Sequence, residues 1–161
     1  MKKLVLSLVL LCGCVSFEPV IESRHDVYSG VSSQQFAAKF SPDGLNLYTV
    51  KLIKAKSDMV SHMILLNADM NGWKFIDSVR VVAGESRIAS KSVVAPIRRV
   101  YRARVREIVT FPLTKAEFDS IVGAQSVMMR FAGTRGLVEC VFNADEIRKL
   151  SEYKILVSAK K

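Results

Sequence analysis

From Leu47 to Phe142 the chain repeats one pattern: short runs in which apolar and polar residues alternate, rich in β-branched and aromatic side chains, separated by Gly, Pro, Asn and Asp. A period of two places alternate side chains on opposite faces of extended backbone, so these runs predict strands. They are expected near 46–55, 60–67, 73–83, 87–94, 98–111, 126–132 and 137–142. Asn71-Gly72 is the strongest short hairpin signal, and Ala83-Gly84-Glu85-Ser86 and Gly133-Thr134-Arg135-Gly136 are expected to turn two further pairs. Consecutive hairpins imply an antiparallel meander of about seven strands, in a sheet or sandwich, not a parallel nucleotide-binding sheet.

Two helices interrupt this pattern, giving an α+β class with two short capped helices towards the carboxyl end. In Leu113-Thr114-Lys115-Ala116-Glu117-Phe118, Thr114 is placed to cap, Glu117 to return the bond, and Leu113 to meet Phe118. Phe142-Asn143-Ala144-Asp145-Glu146-Ile147 repeats the arrangement with Asn143 as cap. Ile121, Val122 and Leu150 continue one apolar face of each helix, as sheet-covering helices require. Tyr153–Val157 reads equally as a last strand or as continued helix.

The amino terminus has another pattern. Lys2 and Lys3 precede an apolar run from Leu4 to Leu11, broken only by Ser7 and followed by small residues, the layout of a secretory signal peptide. The run is far shorter than the roughly 20 residues that span hydrocarbon as a helix. Leu11-Cys12-Gly13-Cys14 resembles the lipobox of bacterial lipoprotein precursors. That resemblance implies cleavage before Cys14, diacylation of its thiol, and a domain anchored to a membrane, not inserted through it. Cys12 is the competing position, but it would put bulky Leu11 at the cut. The contrasting reading is a buried first element of a cytoplasmic protein whose cysteines pack as small apolar residues. In enteric lipoproteins an Asp after the lipidated Cys resembles an inner-membrane retention signal; Val15 stands here, which implies the outer membrane, facing the periplasm.

Removal of residues 1–13 leaves 148 of 161 residues and a formal charge of +7 in place of +9. That length suits a single basic domain, expected over 36–161, which must fold without an internal disulfide because Cys140 is its only thiol besides Cys14. Cys140 alternates with Val138 and Phe142, so a buried, inert thiol is expected. Residues 14–35 mix Ser, Gln, Pro and charge without a sustained period and are expected to form a tether. No repeat occurs at 20 to 50 residues. Lys39 to Tyr48 resembles a blade of periplasmic propeller proteins, but a single blade reads as a Pro-Asp-Gly turn entering a strand.

Signature chemistry is sparse. His25 and His62 lie far apart without ligand-like spacing, so no metal or cofactor is expected. There is no GxSxG, P-loop or GxGxxG motif. Gly133 to Gly136 has the GxxG form of nucleic-acid-binding KH modules, yet it lies between strands, where a hairpin is the better reading and nucleic acid is not an expected partner. Asp26, Asp43, Glu85 and Glu107 could supply the paired carboxylates of an envelope glycan or peptide hydrolase, the alternative to a binding function.

One constellation stands out. Five of the nine residues in Arg98-Arg99-Val100-Tyr101-Arg102-Ala103-Arg104-Val105-Arg106 are arginine. On one continuous strand Arg98, Arg102, Arg104 and Arg106 line one face, a guanidinium row suited to phosphate or carboxylate, while Tyr101, Ala103 and Val105 line the other. A solvated face or a charged edge strand is the plainer alternative. Glu107 falls on the Tyr101 side and, if that side is core, is expected to pair with Arg130 on a later strand. The expectation is therefore a non-enzymatic lipoprotein, resembling small accessory subunits, that binds an envelope protein or a polyanion such as lipopolysaccharide.

Overall fold

A computed structural model describes residues 17–25, 31–55 and 62–159. The lipobox-like segment with Cys14, and Asp26, lie outside the described residues. Ten strands are present among them: β1 (Val20–His25), β2 (Ser32–Phe40), β3 (Leu47–Ala55), β4 (His62–Met70), β5 (Ile76–Ala83), β6 (Ser86–Ser92), β7 (Val94–Tyr101), β8 (Arg104–Pro112), β9 (Val127–Gly133) and β10 (Gly136–Val141). Helix α1 (Lys115–Val122) follows β8, and α2 (Ala144–Ala159) follows β10. One sheet has six strands in the order β1-β2-β3-β4-β8-β7, the other four in the order β10-β9-β5-β6. All pairings are antiparallel.

The period-two pattern sets which face of the six-stranded sheet is core. Phe36 and Ala38 of β2, Tyr48, Val50 and Leu52 of β3, Ile64, Leu66 and Ala68 of β4, and Val109 and Phe111 of β8 are buried in register across the ladder. The second layer consists of the four-stranded sheet and both helices. Phe111 meets Phe131 of β9 at a centroid distance of 5.9 Å. Phe36 meets Phe142 at 5.8 Å and Tyr153 of α2 at 6.2 Å. Burial of each such side chain is worth about 1.5–3 kcal/mol, enough in sum to replace a disulfide. Cys140 is fully buried in this layer, and burial pushes its thiol up to about 12.

Both helices start where their capping residues require. Thr114 Oγ1 accepts from Glu117 N at 3.2 Å while Thr114 N donates to Glu117 Oε2 at 2.8 Å. Asn143 and Glu146 exchange the equivalent bonds at 3.0 and 2.7 Å. Lys91 of β6 closes on Glu117 at 2.6 Å and ties α1 to the small sheet. Tyr153–Val157 continues α2, with Tyr153 and Val157 buried on the sheet. The Tyr153 hydroxyl donates to Gln34 O at 2.7 Å.

The structure departs from the sequence pattern in three places. Residues expected as tether contribute β1 and the start of β2, so the sheet begins at Val20. The segment is polar because, before Phe36, Ile21 is the apolar side chain among its described residues that packs on the core. Asn71-Gly72 does not close a hairpin; β4 and β5 belong to different sheets, and the chain crosses between them through 71–75. The predicted strand 98–111 is two strands, folded back at Arg102-Ala103 so that Tyr101 pairs with Arg104.

Candidate functional site

The turn at Arg102-Ala103 rearranges the arginine row. Arg102 adopts φ 57°, the positive value that primed two-residue hairpins require of their first central residue. Reversing the chain there reverses the face of every residue before it. Arg98 lies opposite Glu107 and Arg99 opposite Arg106 in the β7–β8 ladder. Arg104 and Arg106 therefore share a face with Arg99, whereas Arg98 belongs to the core side and Arg102 sits in the turn. The four arginines do not form one row. A straight-strand alternation hides the grouping because neither Gly nor Asn marks the turn.

Each arginine on the core side or near it has a local acceptor. Glu107 is fully buried and does not meet Arg130; that arginine pairs with Glu139 on the outer face of the small sheet. Glu107 instead accepts from the backbone N–H groups of Lys74 and Phe75 at 2.8 and 2.9 Å through Oε1, and of Ile76 at 2.9 Å through Oε2. Arg98 Nε stands 3.5 Å from Oε2, and its Nη2 donates to Ile76 O at 3.2 Å. A carboxylate receiving three amides is what steers the chain out of β4 into the second sheet. Phe75, held at φ 53°, has the guanidinium groups of Arg98 and Arg135 at 5.4 and 5.1 Å from its ring centroid and Trp73 stacked on it at 5.9 Å.

On the opposite face Asp69 grips Arg106 in a two-pronged ion pair, at 2.6 and 2.9 Å. Without it Arg99 and Arg106 would face one another as like charges. Arg104 Nη2 donates to Leu45 O at 2.6 Å and Asp69 O at 2.9 Å, which locks the β2–β3 turn to β4. That turn is closed from within by Asp43, which accepts from the N–H of Leu45 and Asn46. Burial raises the Asp43 pKa, but the hydrogen bonds from Asn46 and Leu45 outweigh it and hold the carboxyl below its usual value.

The same face carries an apolar centre. Met63 and Leu65 of β4, Ile108 of β8, and Val94 and Ile97 of β7 all point away from the second layer. Exposure increases towards the free β7 edge, where Val94 and Ile97 are 53% and 44% exposed. Arg99 is exposed beside them, so the assembled site is an apolar stripe at a sheet edge with a basic margin. Pro96 lies in this strand, as an edge position allows.

The remaining sequence candidates are dispersed. Glu85 lies in the exposed turn between β5 and β6, and Asp43 and Glu107 each serve the backbone around them. His25 Nδ1 lies 2.9 Å from Ser32 Oγ on exposed strands. Among the described residues no three His, Cys, Asp or Glu gather as a metal site, and no helix is long and apolar enough to cross a membrane. Comparison with protein-family models, curated proteins and solved structures finds no match for the chain.

Proposed function

We propose that the chain is a bacterial envelope lipoprotein, held to the outer membrane by acyl chains on Cys14, whose domain binds another envelope component and catalyses nothing. The ordered cations, apolar run and lipobox-like Leu11 to Cys14 support the anchor. Two or three acyl chains give stable attachment, which one chain does not. The observation that carries the binding half is the free β7 edge, where exposed Val94 and Ile97 stand beside Arg99. Apolar side chains with an arginine margin are the usual make-up of a protein interface, and an edge strand adds unpaired backbone groups. An acidic envelope protein suits that face. Asp43 and Glu107 commit their oxygens to neighbouring amides, which favours binding over a carboxylate hydrolase.

The test is a photo-crosslinking residue placed at Ile97 of the full chain in living cells, with Leu137, 54% exposed on the small sheet, as control. The expected result is a discrete adduct at position 97 that Arg99→Glu abolishes, and none at position 137. Identical patterns at both positions, or no adduct at 97, contradict the proposal.

A further inference from the structure

We infer that the domain stands end-on to its membrane, with the turn end of the six-stranded sheet seated on the anionic phospholipid headgroups of the leaflet that holds the anchor. This rests on acylation of Cys14. Strand β1 runs antiparallel to β2 with Val20 opposite Ala37, so the residues before Val20 continue towards the Lys39–Phe40 end. The Phe17 ring, with Lys39 Nζ 5.5 Å from its centroid, lies at that end. Phe17 follows Cys14 by three positions, a span of at most about 11 Å when fully extended. The linker cannot bring any other end of the sheet as close to the bilayer.

That end is built to receive phosphate. The β2–β3 turn, the 71–75 crossing and the Arg102-Ala103 turn lie there together, because Phe40 pairs with Tyr48, Leu47 with Asp69, Met70 with Val105 and Tyr101 with Arg104. The β9–β10 turn joins them through the bond from Arg135 N to Lys74 O, at 3.1 Å. Lys39, Lys74, Arg99, Arg102, Arg104, Arg106 and Arg135 populate this surface, against Glu18, Asp43 and Asp69, the last of which grips Arg106. Exposed Leu45 and half-buried Trp73 add an apolar and an amphipathic group of the kind that settles at headgroup level.

The tether and the charges do different work. Strand β1 and strand β7 stand at opposite margins of the sheet, about 24 Å apart at the usual strand spacing. The linker therefore fixes only one corner, at a height comparable with the Debye length of about 8 Å at physiological salt. Cations across the rest of the end decide whether the domain tilts or sits flat. Seated flat, it leaves the β7 edge facing sideways, parallel to the membrane and open to a partner.

Trp73 is the chain's single tryptophan and reports on this surface directly. The full acylated protein, reconstituted in vesicles of phosphatidylcholine alone or with added phosphatidylglycerol, is titrated with a phospholipid bearing a nitroxide on its headgroup. Quenching of Trp73 is expected to be at least about threefold stronger in the anionic vesicles, from a few cations at the surface, and to fall with salt. Lys39→Glu combined with Arg99→Glu should reduce it to the neutral-vesicle value while flotation with the vesicles is unchanged. Weak quenching in a protein that still floats overturns the orientation but leaves the anchor standing. Quenching indifferent to lipid charge and salt overturns the headgroup contact, and a protein that does not float removes the anchor itself.

Discussion

Arg98 and Glu107 face each other across the β7–β8 ladder, Nε to Oε2 at 3.5 Å, yet the arginine is the lesser of the glutamate's partners. Three backbone amides from Lys74 to Ile76 close on the same carboxylate. Glu107→Ala leaves those amides without an acceptor in the core and should lower unfolding free energy by about 3–5 kcal/mol. Arg98→Ala, at a side chain that is partly exposed, should cost no more than about 1–2 kcal/mol. Urea unfolding of both variants checks the order; an equal or reversed cost would mean that the ion pair, not the amide cradle, holds the crossing.

The same crossing constrains Gly133. A Cβ there would stand 2.3 Å from Lys74 O and 2.5 Å from Phe75 O, both backbone atoms that Glu107 holds in place. Gly133→Ala should destabilise by about 2 kcal/mol or more, whereas Gly72→Ala, with open space around it, should stay within about 0.5 kcal/mol. Thermal unfolding of the pair distinguishes close packing from a general intolerance of side chains in this loop.

His62 sits 7% exposed with its ring 4.7 Å from the Phe118 centroid. Burial, and after it the charge of Lys54, hold its pKa below the ordinary 6.5. With the folded value lower than the unfolded one, the unfolded chain takes up more protons as pH falls through about 6.5, and stability declines until the folded value is passed. The urea midpoint should therefore drop between about pH 7.5 and 5.5, and His62→Gln should flatten that slope. Parallel slopes would show that another group is responsible.

Cys140 should resist alkylation. With no exposed surface and its thiol pushed up to about 12, it offers neither access nor thiolate at neutral pH. Reaction with iodoacetamide should be slower than in urea-unfolded protein by at least about a hundredfold. Comparable rates would place the thiol at the surface.

Apart from the β7–β8 pair, the strands from Leu47 onward and both helix starts are legible because each rests on a local signal: alternation for the core faces, Thr114 with Glu117 and Asn143 with Glu146 for the caps. What the sequence concealed depends on tertiary partners. Nothing near Arg102 announces a turn, since the residue that would ordinarily mark positive φ is absent and the alternation runs on through it. Asn71-Gly72 looks like a hairpin until Glu107, more than 30 residues away, captures the amides that follow. Val20 to His25 look like a linker because a strand at the sheet margin needs few apolar side chains. The arginine cluster is legible as a cluster, but its division into a core-side pair with Glu107, a turn and an open face depends on the register.

The anchor is the claim on which orientation and partner both depend, and the mass of the amino-terminal peptide from the membrane-extracted protein tests it most directly. This peptide is expected to begin at Cys14 and to carry acyl chains, and Cys14→Ala to yield an uncleaved, unacylated chain beginning before Leu4. A wild-type peptide with its first 13 residues intact and no added lipid would contradict it.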